Sequence, residues 1–225
     1  MHTVTLESLH LILQAAALRD KASEMRAYMR NQFDFLGLPT PLRRATAKPW
    51  LKAQKGLGAA ALLQLADTLW ELPQREYQYL AIDLLAMYWK ELTPQELPAL
   101  LALARRQSWW DTVDGLASLI GQVLRGSHEG MDQALAHEDF WLRRIALLHQ
   151  LGWRDAVDEA RLFRYCLNQA HEQEFFIRKA IGWALRDYAH HRPQAVRAFL
   201  DASGAQLSPL SYREAARHLG SAAHA

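Results

Sequence analysis

Cysteine is nearly missing. The 225-residue chain has one, Cys166, which excludes an intramolecular disulfide and leaves a cysteine-based metal site without ligands. A reducing cytosol is the expected compartment. Glycine and proline are sparse, at 11 and 8 residues, too few for a strand-and-turn architecture. No run of 18 apolar residues exists, so no membrane span is expected. The opening stretch Met1 to Glu7 lacks the basic and apolar blocks of a signal peptide. Excess charge is absent too: the formal net charge is +2, which does not suit a protein that coats nucleic acid indiscriminately. What remains, 50% hydrophobic and 22% charged residues, is globular composition. It reads as one domain over residues 1–225.

The charge is unevenly placed. Residues 1–50 carry seven basic against four acidic side chains, 51–140 seven against twelve, 141–197 ten against six, and 198–225 two of each. Basic flanks around an acidic middle suit a polyanion gripped around a carboxylate-bearing centre. Ordinary surface variation gives the same counts.

Apolar residues recur at spacings of three and four along almost the whole chain, as at Leu80, Leu84, Leu85 and Tyr88, or Leu142, Ile145, Leu148 and Leu151. About a dozen helices are expected. Thr93-Pro94-Gln95-Glu96 has the form of a capping box with proline at the first helical position, and Ser211 to Glu214 offers a second box. Pro39, Pro41, Pro49, Pro73 and Pro193 should fall at helix breaks. Trp141-Leu142-Arg143-Arg144-Ile145-Ala146 and Phe176-Ile177-Arg178-Lys179-Ala180-Ile181 repeat at a distance of 35 residues, and Trp109 lies 32 residues before Trp141. Such periods indicate an all-α fold, an α-solenoid of antiparallel helix pairs of the HEAT kind. Matching positions would line a concave wall, and the paired cations would form a positive ridge there. Solvated helix starts are the alternative.

Three strings can carry chemistry. In Ser108-Trp109-Trp110-Asp111-Thr112-Val113-Asp114, Ser108 can cap a helix. Trp110 and Asp114 then share a face, an aromatic ring beside a carboxylate, which suits a planar cation. Tandem tryptophans are also common core residues, and Trp109 is the better core candidate. In Arg178 to Tyr188, Lys179, Trp183 and Arg186 put cation, indole and cation on one face, suited to a nucleic-acid backbone with an exposed base. Gly182 there allows close approach by a helix or a ligand. A core tryptophan flanked by snorkelling cations fits equally well. Tyr28, Arg43 and Arg44 form a third group able to hold phosphates. His190-His191 and His218 lack zinc-ligand spacing, so no metal and no cofactor is expected.

Taken in order, several strings resemble the bacterial HEAT-like-repeat alkylpurine DNA glycosylases, the DNA alkylation repair enzyme family. They are Tyr28 to Phe33, Phe35-Leu36-Gly37, Pro39 to Arg43, Arg75 to Tyr79, Trp109 to Asp114, Trp141 to Arg144, and Ile177 to Tyr188. The resemblance covers residues 20 to 220. It implies a hydrolytic N-glycosidase that removes N3- and N7-alkylated purines from double-stranded DNA. No lysine sits in the string with Asp114 as a Schiff-base nucleophile, so a monofunctional enzyme without lyase activity is expected, and an open groove needs no partner subunit, so a monomer is expected. By motif it implies Asp114 as the catalytic carboxylate and Trp110 and Trp183 as flanks of the lesion sugar. Tyr28, Arg144 and Arg186 are implied as DNA contacts, with Arg43 and Lys179 added from the residue reading. It also implies action without flipping the base into a pocket. The competing readings are a non-catalytic helical-repeat protein that binds DNA structure and a protein scaffold.

Overall fold

The structure, a computed structural model, describes residues 5–219. Among these are thirteen α-helices joined by turns, four of which are short 3-10 segments. The one bridge of strand type among the described residues joins Asp34 and Gln74. The chain divides into two compact units, Met1–Leu92 and Thr93–Ala225.

The first unit holds α1 (Leu6–Ala15), α2 (Arg19–Tyr28), α3 (Thr40–Ala53), α4 (Ala59–Trp70) and α5 (Arg75–Met87). Helix α1 packs on α3, and α3 and α4 pack on α5. Leu9, Leu13, Trp50, Leu62, Trp70, Leu80 and Leu84 are buried between them. Two of the motif strings form one device here. Glu76, fully buried in the first turn of α5, accepts the backbone N–H groups of Leu36, Gly37 and Leu38 at 3.0, 2.9 and 3.0 Å. Gly37 lies at φ +86, and a Cβ there would sit 2.0 Å from the Leu18 carbonyl oxygen, so only glycine fits.

The second unit runs through α6 (Leu97–Ala104), α7 (Trp110–Val123), α8 (Met131–Leu135), α9 (Phe140–Leu148), α10 (Glu159–Asn168), α11 (Phe175–Ala189), α12 (Pro193–Ser203) and α13 (Pro209–Ala216). Helices α7, α9, α11 and α13 stack in chain order, with α6, α8, α10 and α12 packed alongside. This alternation is an α-solenoid: each helix pair buries its apolar stripe against the next pair. The 35-residue repeat is present in space. Trp141 and Phe176 are the second residues of α9 and α11, with ring centroids 4.9 Å apart. Trp109 joins them at 6.1 and 5.2 Å, so Trp109 is a packing residue. Close helix contact is required at Gly121 of α7, where a Cβ would lie 2.0 Å from the His149 carbonyl oxygen.

Several local expectations are corrected. Pro49 sits inside α3; it is exposed, as is Ala45, whose carbonyl loses its partner and can turn to water. Pro41 also lies within α3, at its start, where the missing N–H is harmless. Ser108 does not cap α7: its hydroxyl donates to Ala104 O at 2.7 Å, closing the preceding helix. The second capping box is displaced. Ser208 caps α13 by accepting from Ser211 N at 3.1 Å, and the buried Ser211 hydroxyl donates to Arg178 O at 2.8 Å. The Thr93 box forms as read, with Thr93 N donating to Glu96 at 2.7 Å.

Candidate active site

Three stacked helices start alike. An aromatic residue opens each, Trp110 in α7, Phe140 in α9 and Phe175 in α11. A charged side chain follows four residues later: Asp114, Arg144 and Lys179. Residues four apart share a helical face, so the packing of α7 on α9 and α9 on α11 draws the three charges into a row.

The row begins with a bidentate ion pair. Arg144 Nε donates to Asp114 Oδ1 at 2.7 Å and Nη2 donates to Oδ2 at 2.8 Å. Arg144 Nη1 donates to the Phe176 carbonyl. The guanidinium is thus tied to α7 and α11 at once, and its residue is 1% exposed. The Asp114 side chain keeps 23% exposure. Each carboxylate oxygen has a second lone pair, so Asp114 can still face a cation or a water molecule. Burial pushes the Asp114 carboxyl above its ordinary value; the hydrogen bonds and charge of Arg144 oppose this, and Asp111 adds a further upward push.

Beyond the ion pair stands the half-buried Trp183 of α11. Three cations surround its ring: Arg144 at 5.2 Å, Lys179 at 5.4 Å and Arg186 at 5.8 Å from the centroid. Lys179 and Arg186 are in turn held by one acceptor, Glu214 of α13, at 2.6 and 2.5 Å. Gly182 makes this approach possible, because a Cβ there would lie 2.4 Å from Glu214 Cβ and 3.0 Å from Ser211 O. The close approach foreseen at Gly182 is therefore by a helix. The hydrogen bond from Lys179, with the nearby cations, holds the Glu214 carboxyl below its ordinary value.

Asp114, Arg144, Lys179, Trp183 and Arg186 are thus brought together. Trp110 stands one turn before Asp114 on the same helix and is half-buried. Arg144, expected as a DNA contact, is buried here with three donors committed to Asp114 and the Phe176 carbonyl, which holds the carboxylate in place. Arg43 in the first unit, also expected as a DNA contact, is likewise committed to partners within the protein. It is 5% exposed, paired with Asp83 at 3.1 Å and stacked over Tyr79 at 4.7 Å, while Arg44, sharing Asp83 at 2.9 Å, is 63% exposed. The expected positive ridge is only half realised. Arg143 donates to the carbonyls of His137 and Glu138, both at 2.8 Å, and Arg178 to Glu172 O at 2.9 Å, so the first cation of each pair fastens a turn. Tyr28, closing α2 in the first unit, is 71% exposed; the left-handed Arg30 and Asn31 behind it turn the chain away.

Sequence reading missed Glu214, whose only signal was a supposed capping role. Among the described residues no group of three or more His, Cys, Asp or Glu side chains is placed to hold a metal ion. None of the described helices is long and apolar enough to cross a membrane.

Fold and site together define an α-solenoid protein whose stacked helices present a carboxylate clamped by a buried arginine, beside an indole ringed by cations. The chain belongs to the DNA alkylation repair enzyme family, whose family model matches residues 9–219. It is similar to a solved structure described as a predicted DNA alkylation repair enzyme from Enterococcus faecalis. Identity is 34%, coverage is 90% of this chain and 96% of that one, and the TM-score is 0.83. Among curated proteins no match is found.

Proposed function

We propose that the protein is a monofunctional DNA N-glycosylase that hydrolyses the glycosidic bond of N3- and N7-alkylated purines, such as 3-methyladenine and 7-methylguanine, in double-stranded DNA. Alkylation at N3 or N7 puts a positive charge on the purine, which makes it a good leaving group without a general acid. Its departure leaves positive charge on the deoxyribose, an oxocarbenium-like state. Asp114 offers the matching negative charge and orients the attacking water, whose oxygen bonds to the anomeric carbon as the base leaves with the glycosidic electron pair. The released proton passes to solvent. Trp183 and Trp110 present π faces to the cationic sugar, contributing about 1–2 kcal/mol each when desolvated. Arg144 holds the carboxylate still, Tyr28, Lys179 and Arg186 contact the DNA, and Arg43 steadies Asp83 beside the exposed Arg44.

One observation supports this reading above the others. A partly exposed carboxylate is gripped through both oxygens by a buried arginine, which itself lies over Trp183. A purely structural ion pair has no need of a neighbouring half-buried indole with two further cations. The test is to incubate the protein with duplex DNA containing 7-methylguanine and assay free base by chromatography. The strands are examined before and after alkali. Free base, with strand breaks only after alkali, is the expected result. Duplex binding without release would mark a DNA-structure binder, and absence of both would mark a scaffold.

A further inference from the structure

Lys179 and Arg186 flank Trp183 on α11, yet neither is open to a phosphate as it stands. Both are about three-quarters buried, at 22% and 23% exposure, and both donate to the same carboxylate, Glu214, itself 15% exposed. Glu214 comes from a different helix, and α13 reaches it only because Gly182 has no side chain. Ser211, one turn earlier on α13, pins the same contact through Arg178 O. The carboxylate is therefore a built feature of the α11–α13 seam. A carboxylate oxygen and a phosphate oxygen are equivalent acceptors for an ammonium or guanidinium donor, so Glu214 stands where a DNA phosphate would stand if both cations bound one.

We propose that Glu214 is a specificity-determining residue: an internal phosphate substitute that occupies Lys179 and Arg186 and so restrains binding to undamaged duplex. This rests on the reading of the α11 face as a DNA contact. With Glu214 present, the five charges around Trp183 (Asp114, Arg144, Lys179, Arg186 and Glu214) leave one net positive charge. Without it two remain, and both cations are free to neutralise phosphates. Undamaged duplex is held almost wholly by such phosphate contacts, so non-specific affinity gains most from their release. A damaged site draws in addition on Asp114 and the indoles, so it gains less. Glu214 thus widens the gap between lesion and background binding.

The test measures binding of the full chain to an undamaged duplex and to one carrying 7-methylguanine, from 50 to 200 mM salt, with wild type and Glu214→Gln. Each phosphate newly contacted steepens the slope of log K against log salt by about 0.9, a roughly threefold larger affinity loss over that range. The proposal expects the variant to bind undamaged duplex more tightly at 50 mM salt, with a steeper slope by about one contact or more, and to show a smaller lesion preference. Unchanged or weaker affinity with an unchanged slope overturns it, since loss of a purely structural contact leaves the count of phosphates the same. Glu214→Asp keeps the charge but is too short to reach both cations. If Glu214→Gln fails to fold, Glu214→Asp must show the same steepening in smaller measure, and a wild-type slope overturns the proposal. Wild-type protein that binds no duplex at all overturns both this inference and the glycosylase reading; wild-type excision with an unaltered variant slope overturns this inference alone.

Discussion

Arg144→Met removes a fully buried cation while nearly preserving side-chain length, and two measurements should respond. Breaking a buried ion pair from one side costs about 3–5 kcal/mol, because the remaining charge is left uncompensated. Asp114 retains 23% exposure, so water can reach it and the lower end, about 3 kcal/mol, applies. Loss of the donor to the Phe176 carbonyl adds about 1 kcal/mol. Chemical denaturation should therefore show a loss of about 4 kcal/mol in the second unit. Removal of the guanidinium also removes the influence that opposes burial at Asp114. The Asp114 carboxyl then titrates higher, and the acid limb of the excision pH profile moves to higher pH. The double variant Asp114→Asn/Arg144→Met no longer buries an unpaired charge and should lose less stability than the sum of the single changes. Wild-type stability in Arg144→Met, or strictly additive losses in the double variant, would refute the assignment of Arg144 as the holder of Asp114.

Gly182→Ala should destabilise the α11–α13 seam by about 1–3 kcal/mol through overpacking, read as a lower melting temperature, because the new Cβ would lie 2.4 Å from Glu214 Cβ; wild-type stability would show that the seam yields freely. Glu76→Ala orphans three buried N–H groups and should cost about 3 kcal/mol or more, with Glu76→Gln costing less because its amide oxygen still accepts. His149 donates through Nδ1 to Ala146 O at 2.7 Å and meets His128 through Nε2 at 2.9 Å, and burial lowers its pKa from 6.5 to about 4. The neutral folded form is favoured, so its contribution is full above pH 6.5 and is lost as pH falls from 6.5 to about 4, by about 3 kcal/mol in all. Denaturation of His149→Gln should show a flatter pH dependence in that window, and an unchanged slope would exclude His149 as its source.

The helical architecture was legible because a period of three to four recurs along almost the whole chain, and the 35-residue repeat fixed which helices would stack. The departures have physical causes. Pro49 reads as a break from the chain alone, but an exposed helix face can surrender one hydrogen bond to water, which the chain does not reveal. Trp110 and Asp114 stood out in the sequence as an indole and a carboxylate at helical spacing, and Trp183 as an indole between Lys179 and Arg186 on one helical face. The partner of Asp114 was not readable. Arg144 follows another arginine at a helix start, and nothing local tells which of the two turns inward to α7 and which fastens the preceding turn. Glu214 lies 35 residues from Lys179, and its role depends on how closely α13 approaches. That distance is set by the missing side chain of Gly182, which the sequence marks as a place of close approach without telling whether a helix or a ligand comes near.

The central claim, that Asp114 stabilises a sugar turning cationic as its alkylated purine leaves, is tested most directly by single-turnover release of 7-methylguanine from duplex DNA by Asp114→Asn, with binding measured in parallel. Retained DNA binding with release slowed by on the order of a hundredfold or more is the predicted result. Release at the wild-type rate would contradict the account.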